Sequence, residues 1–511
     1  MLLIATACQP AGTIKTEQGL VTGTPGADPA VTVYKGIPFA EPPVGTLRWQ
    51  PPQAPASWEG VREAVSFSDG CVQPLQRSRP PWTEEYMHQG HASEDCLYLN
   101  IWTTAESGDD TPVLVYIHGG GFNEGSGSVA LYDGEALAKK GLVVVTINYR
   151  LGLLGFLAHP ELTAESPENA SGNYGLLDQI AALQWIQNNI SGFGGDAGNV
   201  TIAGQSAGAM SVYLLTSSPL ASGLFHRAIN QSGPGGLASF GLTGIRSMAP
   251  ALADAEAGGM AFAEGKGATS IADLRSLSVA LLTENEEDAS PLRFGPVIDG
   301  YFLTKDMADV YASSEHHDVP LLSGFNADEA SAFPGYGQMT VEALQEMAAS
   351  QYAESSATFL SLYPAATDEE AGEAQVASFR DMAAVAVQKL AASRAQTSST
   401  PEYVYYFERG IPWPERPEFQ AFHSGEVPYV FNNLHLLERP WEDSDKMLAD
   451  QTSSYWANFA THGDPNGEGL PDWPAYTAAN NAVMVLGQNT GLREMPESAD
   501  KRAFFESVLA E

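Results

Sequence analysis

Asn199-Val200-Thr201-Ile202-Ala203-Gly204-Gln205-Ser206-Ala207-Gly208 is the stretch on which the reading of this chain turns. Asn199–Ala203 carries the short apolar, β-branched pattern of a buried strand. Met210-Ser211-Val212-Tyr213-Leu214-Leu215-Thr216, just beyond it, reads as helix. Between the two lies G-x-S-x-G. A serine in a sharp strand-to-helix turn has its hydroxyl exposed, and glycines two residues to either side leave room where helix and strand crowd together. Alone the pentapeptide recurs by chance; the strand before it and the helix after it single out Ser206 as a candidate nucleophile.

On the N-terminal side, strands and helices alternate over residues 96–205. LYLNIW, VLVYIHGG and LVVVTINYR read as strands. A helix is expected near Leu131–Lys140, and another over YGLLDQIAALQWIQNNI, which carries apolar residues at 3–4 spacing. Such alternation predicts an α/β fold with a central, mostly parallel mixed sheet flanked by helices. Residues 9–65 hold short alternating runs broken by prolines and predict a small N-terminal antiparallel sheet. Helical insertions are expected over about 245–400, interrupted by a strand at Leu321–Asn326. Residues 402–408 form a further strand. The remainder is expected in loops, with helices at Ser454–Thr461 and near Ala503–Leu509. No linker-like break appears, so residues 9–511 read as a single catalytic domain.

The formal net charge is −37, from 62 acidic and 25 basic residues. Such a surface repels phosphate backbones, which excludes nucleic acid as a partner. A well-solvated acidic surface and an adaptation to a saline habitat both account for it. No apolar run reaches the ~18 residues of a membrane-spanning helix. Residues 1–8 resemble the remnant of an export signal: an apolar run, then Ala5-Thr6-Ala7 before Cys8, as in a bacterial lipoprotein cleavage box. Export from a bacterium is therefore expected, to the periplasm, the medium or a lipid anchor at Cys8. The other two cysteines, Cys71 and Cys96, either bridge a short loop, which implies an oxidising compartment, or stay as buried thiols.

Ser206 needs partners. His118-Gly119-Gly120-Gly121-Phe122 ends another strand. Acyl transfer places negative charge on the former carbonyl oxygen, and glycine lets backbone N–H groups approach it closely. Gly120 and Gly121 are the candidate donors, with Ala207 as a third, and Phe122 is assigned to the substrate pocket. His423, in AFHSGEVPYVF, lies late in the chain, as the order serine, acid, histidine requires. The acid that would orient it lies just after Leu321–Asn326, where Asp328 and Glu329 compete. His88/His91 and His316/His317 are spaced like ligand pairs but lack the carboxylate and cysteine pattern of a metal site. The chemistry requires neither metal nor cofactor, only a small-molecule ester.

Together these residues resemble the type-B carboxylesterase/cholinesterase family. YKGIPFAEPPVGTLRW, SEDCLYLNIW (Ser93–Trp102), GNVTIAGQSAGA, NYRLGLLGFL, LFHRAINQSG, FGPVIDG, GFNADEASAF, AFHSGEVPYVF and YWANFATHGDPN follow in family order across almost the whole chain. The resemblance implies an α/β-hydrolase fold and a serine carboxylic-ester hydrolase. It places the catalytic acid on Glu329 and the base on His423, and pairs Cys71 with Cys96. It assigns Ser232 to a hydrogen bond with the acid and Glu426 to a buried carboxylate behind the site. Cholinesterases carry a glutamate before the nucleophile, where Gln205 is neutral. Their ammonium-binding tryptophan aligns with Tyr86, with Trp82 nearby. Their acyl-pocket aromatics align near Leu292 and Ala332, with Phe333 left as a wall. These departures favour neutral carboxylic esters; the alternatives are choline-ester hydrolysis and a non-catalytic, cholinesterase-like recognition role.

Overall fold

A computed structural model describes residues 13–233, 249–284, 294–477, 482–496 and 498–509. Eleven strands among them form one sheet. They are β1 (Thr24–Pro25), β2 (Thr32–Pro38), β3 (Tyr98–Thr103), β4 (Thr111–Ile117), β5 (Val143–Ile147), β6 (Gly195–Gln205), β7 (Arg227–Gln231), β8 (Leu321–Asn326), β9 (Glu402–Phe407), β10 (Ala482–Leu486) and β11 (Gly491–Glu494). Their order in space is β11-β10-β9-β8-β7-β6-β4-β5-β3-β2-β1. Strands β4 to β10 run parallel, and antiparallel pairs close both edges.

The central strands are apolar throughout because both faces are covered. Along β4, Val113, Val115 and Ile117 enter one core cluster with Leu176, Leu183 and Ile186 of the helix Tyr174–Asn189. Leu114 and Tyr116 point the other way, into a cluster with Trp456 and Phe459 of the helix Asp443–His462. Each fully buried side chain of this size contributes about 1.5–3 kcal/mol. Buried Arg150 at the end of β5 clasps Asp178 of the first helix at 2.7 Å, fixing helix to sheet.

The chain passes from β4 to β5 on one side and then returns to β6 on the other. Connections leaving adjacent strands in opposite directions open a crevice at their carboxyl ends. The Gly119–Gly121 loop follows β4 and Ser206 follows β6, so both fall at that crevice.

Helices fill the insertion region, including Leu252–Gly265, Val341–Tyr352, Ser356–Leu362 and Asp368–Thr397. The terminal helix Ala499–Val508 packs Phe504 and Phe505 into the same satellite cluster as Tyr352, Phe359 and Met382. Cys71 and Cys96 form a disulfide.

Several expectations need correction. The VTVYKG run does not build a separate sheet; it supplies β2 of the main one. The small N-terminal sheet comprises Thr13–Lys15, Leu20–Thr22 and Val61–Glu63, with one antiparallel and one parallel pairing. The helix expected over Leu131–Lys140 is a 3-10 turn at Ala130–Tyr132 followed by a helix at Glu135–Ala138 only, with Gly134 between them. The helix at Ser454–Thr461 begins earlier, at Asp443, where Glu442 and Asp445 form a capping box, and stops at His462 before left-handed Gly463. The tail expected in loops contributes β10 and β11; the register of β10 against β9, and of β11 against β10, fixes them more than their own short apolar pattern does.

Candidate active site

Ser206 stands between β6 and the helix Ala207–Ser217 with φ 58° and ψ −121°. A non-glycine residue holds such a backbone only when its surroundings impose it. Here the Ser206 amide donates to the Gln231 carbonyl of β7, and its carbonyl accepts from Met210, both at 2.9 Å. The flanking glycines have a steric reason. A Cβ on Gly204 would lie 2.4 Å from the Gly208 carbonyl carbon, and one on Gly208 would lie 2.0 Å from the Ile117 carbonyl oxygen. Strand and helix touch through bare backbone, and the serine projects from the corner.

The loop after β4 runs beside that corner: a Cβ on Gly119 would lie 3.1 Å from the Ser206 Cβ. Gly120, Gly121 and Phe122 have φ of 106°, 63° and 61°. The bonds holding this loop use its carbonyls. Gly120 accepts from the Asn123 and Glu124 amides at 3.0 and 3.1 Å, and Gly121 accepts from the Asn123 carboxamide at 2.6 Å. The N–H groups of both glycines are not spent on those bonds. Ala207 opens the helix, so its N–H has no intrahelical acceptor either. His118 pins the loop from below. Its ring stacks on Tyr149 at 4.5 Å, and its carbonyl accepts from the Tyr149 hydroxyl. Burial pushes its pKa down to about 4, so it stays neutral.

His423 is brought to the same place by the loop after β9. Its Nδ1 meets Glu329 Oε2 at 2.5 Å. The other Glu329 oxygen accepts from the Asn326 backbone N–H at 2.8 Å. A carboxylate on Nδ1 leaves the imidazole lone pair on Nε2. Nε2 lies 3.2 Å from the carboxamide nitrogen of Gln205, the residue just before Ser206. The rival acid is used elsewhere. Asp328 binds Arg380 at 2.6 Å, the Tyr336 hydroxyl at 3.1 Å and the Ala421 amide at 3.2 Å.

Behind the pair, Glu426 is buried and accepts from the carboxamides of Gln231 at 3.1 Å and Asn326 at 2.5 Å. Burial, and then the charge of Glu329, raise its pKa to about 7. Trp456 completes the row by donating to Gln231 Oε1 at 3.3 Å. Asn326 is thus the junction, touching Glu329 with its backbone and Glu426 with its side chain. Nothing in the residue pattern marked Asn326, Gln231 or Trp456 for this role. Ser232 departs from its expected part. Its hydroxyl is buried without a hydrogen-bond partner, and the bonds to the Glu329 oxygens come instead from the Asn326 N–H and His423.

Of the expected pocket residues, Trp82 contacts the residue that carries the imidazole. Its indole N–H donates to the His423 carbonyl at 3.1 Å, and the rings meet edge to face at 6.5 Å. Tyr86 packs on Phe422 instead, at 5.5 Å. Phe122 is buried against Phe156 at 5.3 Å. Ala332 is half-buried at the end of the 3-10 turn that starts at Glu329. Phe333 is 56% exposed, because the chain extends outward after that turn, so it walls no closed pocket. Leu292 and Cys8 lie outside the described residues. The histidine pairs serve packing and turns: His88 bonds the His91 carbonyl, His316 stacks on Tyr311, and His317 bonds the Ser218 carbonyl. Among the described residues no three His, Cys, Asp or Glu side chains are grouped to hold a metal ion.

Comparison with known proteins matches residues 10–504 to a family model described as "Carboxylesterase family". "Fumonisin B1 esterase" of Sphingopyxis macrogoltabida is 38% identical over 494 residues, covering 94% of this chain and 87% of that one. "Para-nitrobenzyl esterase" of Bacillus subtilis (strain 168) is 35% identical, covering 97% and 98%. "Cocaine esterase" of Homo sapiens is 36% identical, covering 90% and 85%.

Proposed function

The chain belongs to the carboxylesterase family, and on that premise we propose that its hydrolysis of carboxylic esters runs through Ser206, His423 and Glu329. The observation that supports this most is the 2.5 Å contact between His423 Nδ1 and Glu329, with Nε2 on the other side of the ring 3.2 Å from the carboxamide nitrogen of Gln205, the residue before Ser206.

The reaction is a two-step acyl transfer. Ser206 Oγ bonds to the ester carbonyl carbon as its proton passes to His423 Nε2. The oxyanion is held by the N–H groups of Gly120, Gly121 and Ala207, and the helix starting at Ala207 adds its positive end. The C–O bond to the alcohol then breaks, and the alcohol leaves with the proton from His423. Water attacks the acyl-enzyme by the same route and frees the acid. Glu329 stays ionised and holds the imidazole tautomer. Asn326 and Glu426 position it.

Neutral esters are the preferred substrates. Gln205 supplies no negative charge beside the reaction centre. The relatives are named for three different esters, so no single one is carried over. Pre-steady-state mixing with p-nitrophenyl acetate tests the mechanism. A burst of one p-nitrophenol per chain, followed by slower turnover, is expected; linear release with no acyl-enzyme detectable by mass spectrometry contradicts it.

The Cys71–Cys96 disulfide supports export to an oxidising compartment, in the periplasm, the medium or on a lipid anchor. Recovery of all activity from the cytosol of the source cells, with reduced cysteines, contradicts that.

A further inference from the structure

We propose that Arg79 sets the charge selectivity of the alcohol side by occupying the ring face of Trp82 that a cationic substrate would use. The proposal rests on Ser206 and His423 being the reaction centre. Trp82 is tied to that centre by its bonds to the His423 carbonyl at 3.1 Å and to Ser424 Oγ at 3.3 Å. An electron-rich indole beside the base is the natural seat for an ammonium group. Here the seat is taken. The Arg79 guanidinium lies 5.0 Å from the centre of the Trp82 ring.

Two further contacts hold it there. The Arg79 amide donates to the Trp82 carbonyl at 2.7 Å, closing the turn between them. The guanidinium pairs with Glu124 at 2.7 Å. Glu124 belongs to the glycine loop: its amide donates to Gly120, and a Cβ on Gly120 would sit 2.1 Å from its carbonyl oxygen. Arg79 therefore spans from Trp82 beside the base to the loop that faces the oxyanion. Its side chain is 48% exposed, which puts it at the solvent side of the site.

The placement matters because the rest of the molecule pulls the other way. A net charge of −37 draws cations toward the surface at low salt. A local cation on the best aromatic face opposes their final seating. Selectivity for uncharged alcohol groups follows from Arg79 and not from the overall field.

The test compares acetylthiocholine with its uncharged isostere, 3,3-dimethylbutyl thioacetate, at about 0.5 M NaCl so that long-range attraction is screened. The readout is the ratio of kcat/KM for the charged over the neutral ester, which cancels any loss common to both. In Arg79→Gln the ratio should rise about tenfold, through KM of the charged ester. In Glu124→Gln, which leaves Arg79 uncompensated, it should fall. A ratio within twofold of wild type in a folded Arg79→Gln overturns the proposal. Should that variant fail to fold, an unchanged or raised ratio in Glu124→Gln overturns it. A wild-type enzyme that hydrolyses neither ester at Ser206 refutes the reaction centre instead.

Discussion

Asp328 and Glu329 are neighbours in the chain and face opposite ways: Asp328 reaches Arg380 at 2.6 Å, while Glu329 reaches His423 Nδ1 at 2.5 Å. The turn that begins at Glu329 separates them, and with it an orienting carboxylate from a structural one. Glu329→Gln should lower kcat about 1,000- to 10,000-fold, because the carboxamide no longer secures the imidazole tautomer. Asp328→Asn should lower the melting temperature and leave kcat within about tenfold. Measuring kcat and Tm for both variants checks this; equal loss of kcat in a folded Asp328→Asn would refute it.

The glycine loop makes a second pair of outcomes. At Gly120 a side chain meets the Glu124 carbonyl at 2.1 Å, and at φ 106° no relaxed position exists for it. Gly120→Ala should cost at least ~100-fold in kcat, the scale of losing one oxyanion donor, with a smaller change in KM. At Gly121 the added Cβ meets open space, and only the cost of φ 63° remains, about 1–2 kcal/mol. Steady-state kinetics should therefore rank Gly120→Ala as far more damaging than Gly121→Ala.

Glu426 predicts a pH dependence of stability. Its pKa rises from 4.5 to about 7 in the folded protein. Between those values the folded state holds more protons than the unfolded one, so stability falls as pH rises from ~4.5 to ~7 and this contribution is level above. Glu426→Gln removes that contribution. The drop in Tm between pH 5 and pH 8 should be smaller in the variant than in wild type; an equal or larger drop would show that Glu426 does not titrate in this window.

The disulfide encloses 25 residues of sequence separation. Closing a loop of that size constrains the unfolded chain by about 3 kcal/mol. Gln73, two residues past Cys71, exchanges two hydrogen bonds of 2.8 Å with Gly125, so the bridge also anchors the segment that leaves the glycine loop. The double variant Cys71→Ser/Cys96→Ser should lose about 3 kcal/mol in denaturant titrations. A loss below ~1 kcal/mol would mean the loop is held by its other contacts.

Much of this architecture was legible from residue order because its causes are local. Gly204 and Gly208 flank Ser206 for a reason of contact that any sequence must meet at such a turn. The alternation of Val113, Leu114, Val115 and Tyr116 follows from a strand covered on both faces. The choice of Glu329 over Asp328 was different: among 62 acids no spacing rule selects one, and only the family resemblance did. Asn326 and Gln231 stayed illegible because their roles depend on which strand ends meet in space, and β7 and β8 meet only after a long helical insertion. The hydroxyl of Ser232 shows the converse, a resemblance that the local geometry does not honour. Strands β10 and β11 are not marked by residue order because each takes its identity from the strand it pairs with, β10 from β9 and β11 from β10.

The most direct test of the account is covalent labelling with a neutral organophosphate, followed by proteolysis and mass spectrometry. One adduct per chain is expected on Ser206, none in Ser206→Ala, and labelling slowed at least ~100-fold in His423→Ala. An adduct on another residue with Ser206 unmodified, or wild-type ester turnover in Ser206→Ala, would contradict it.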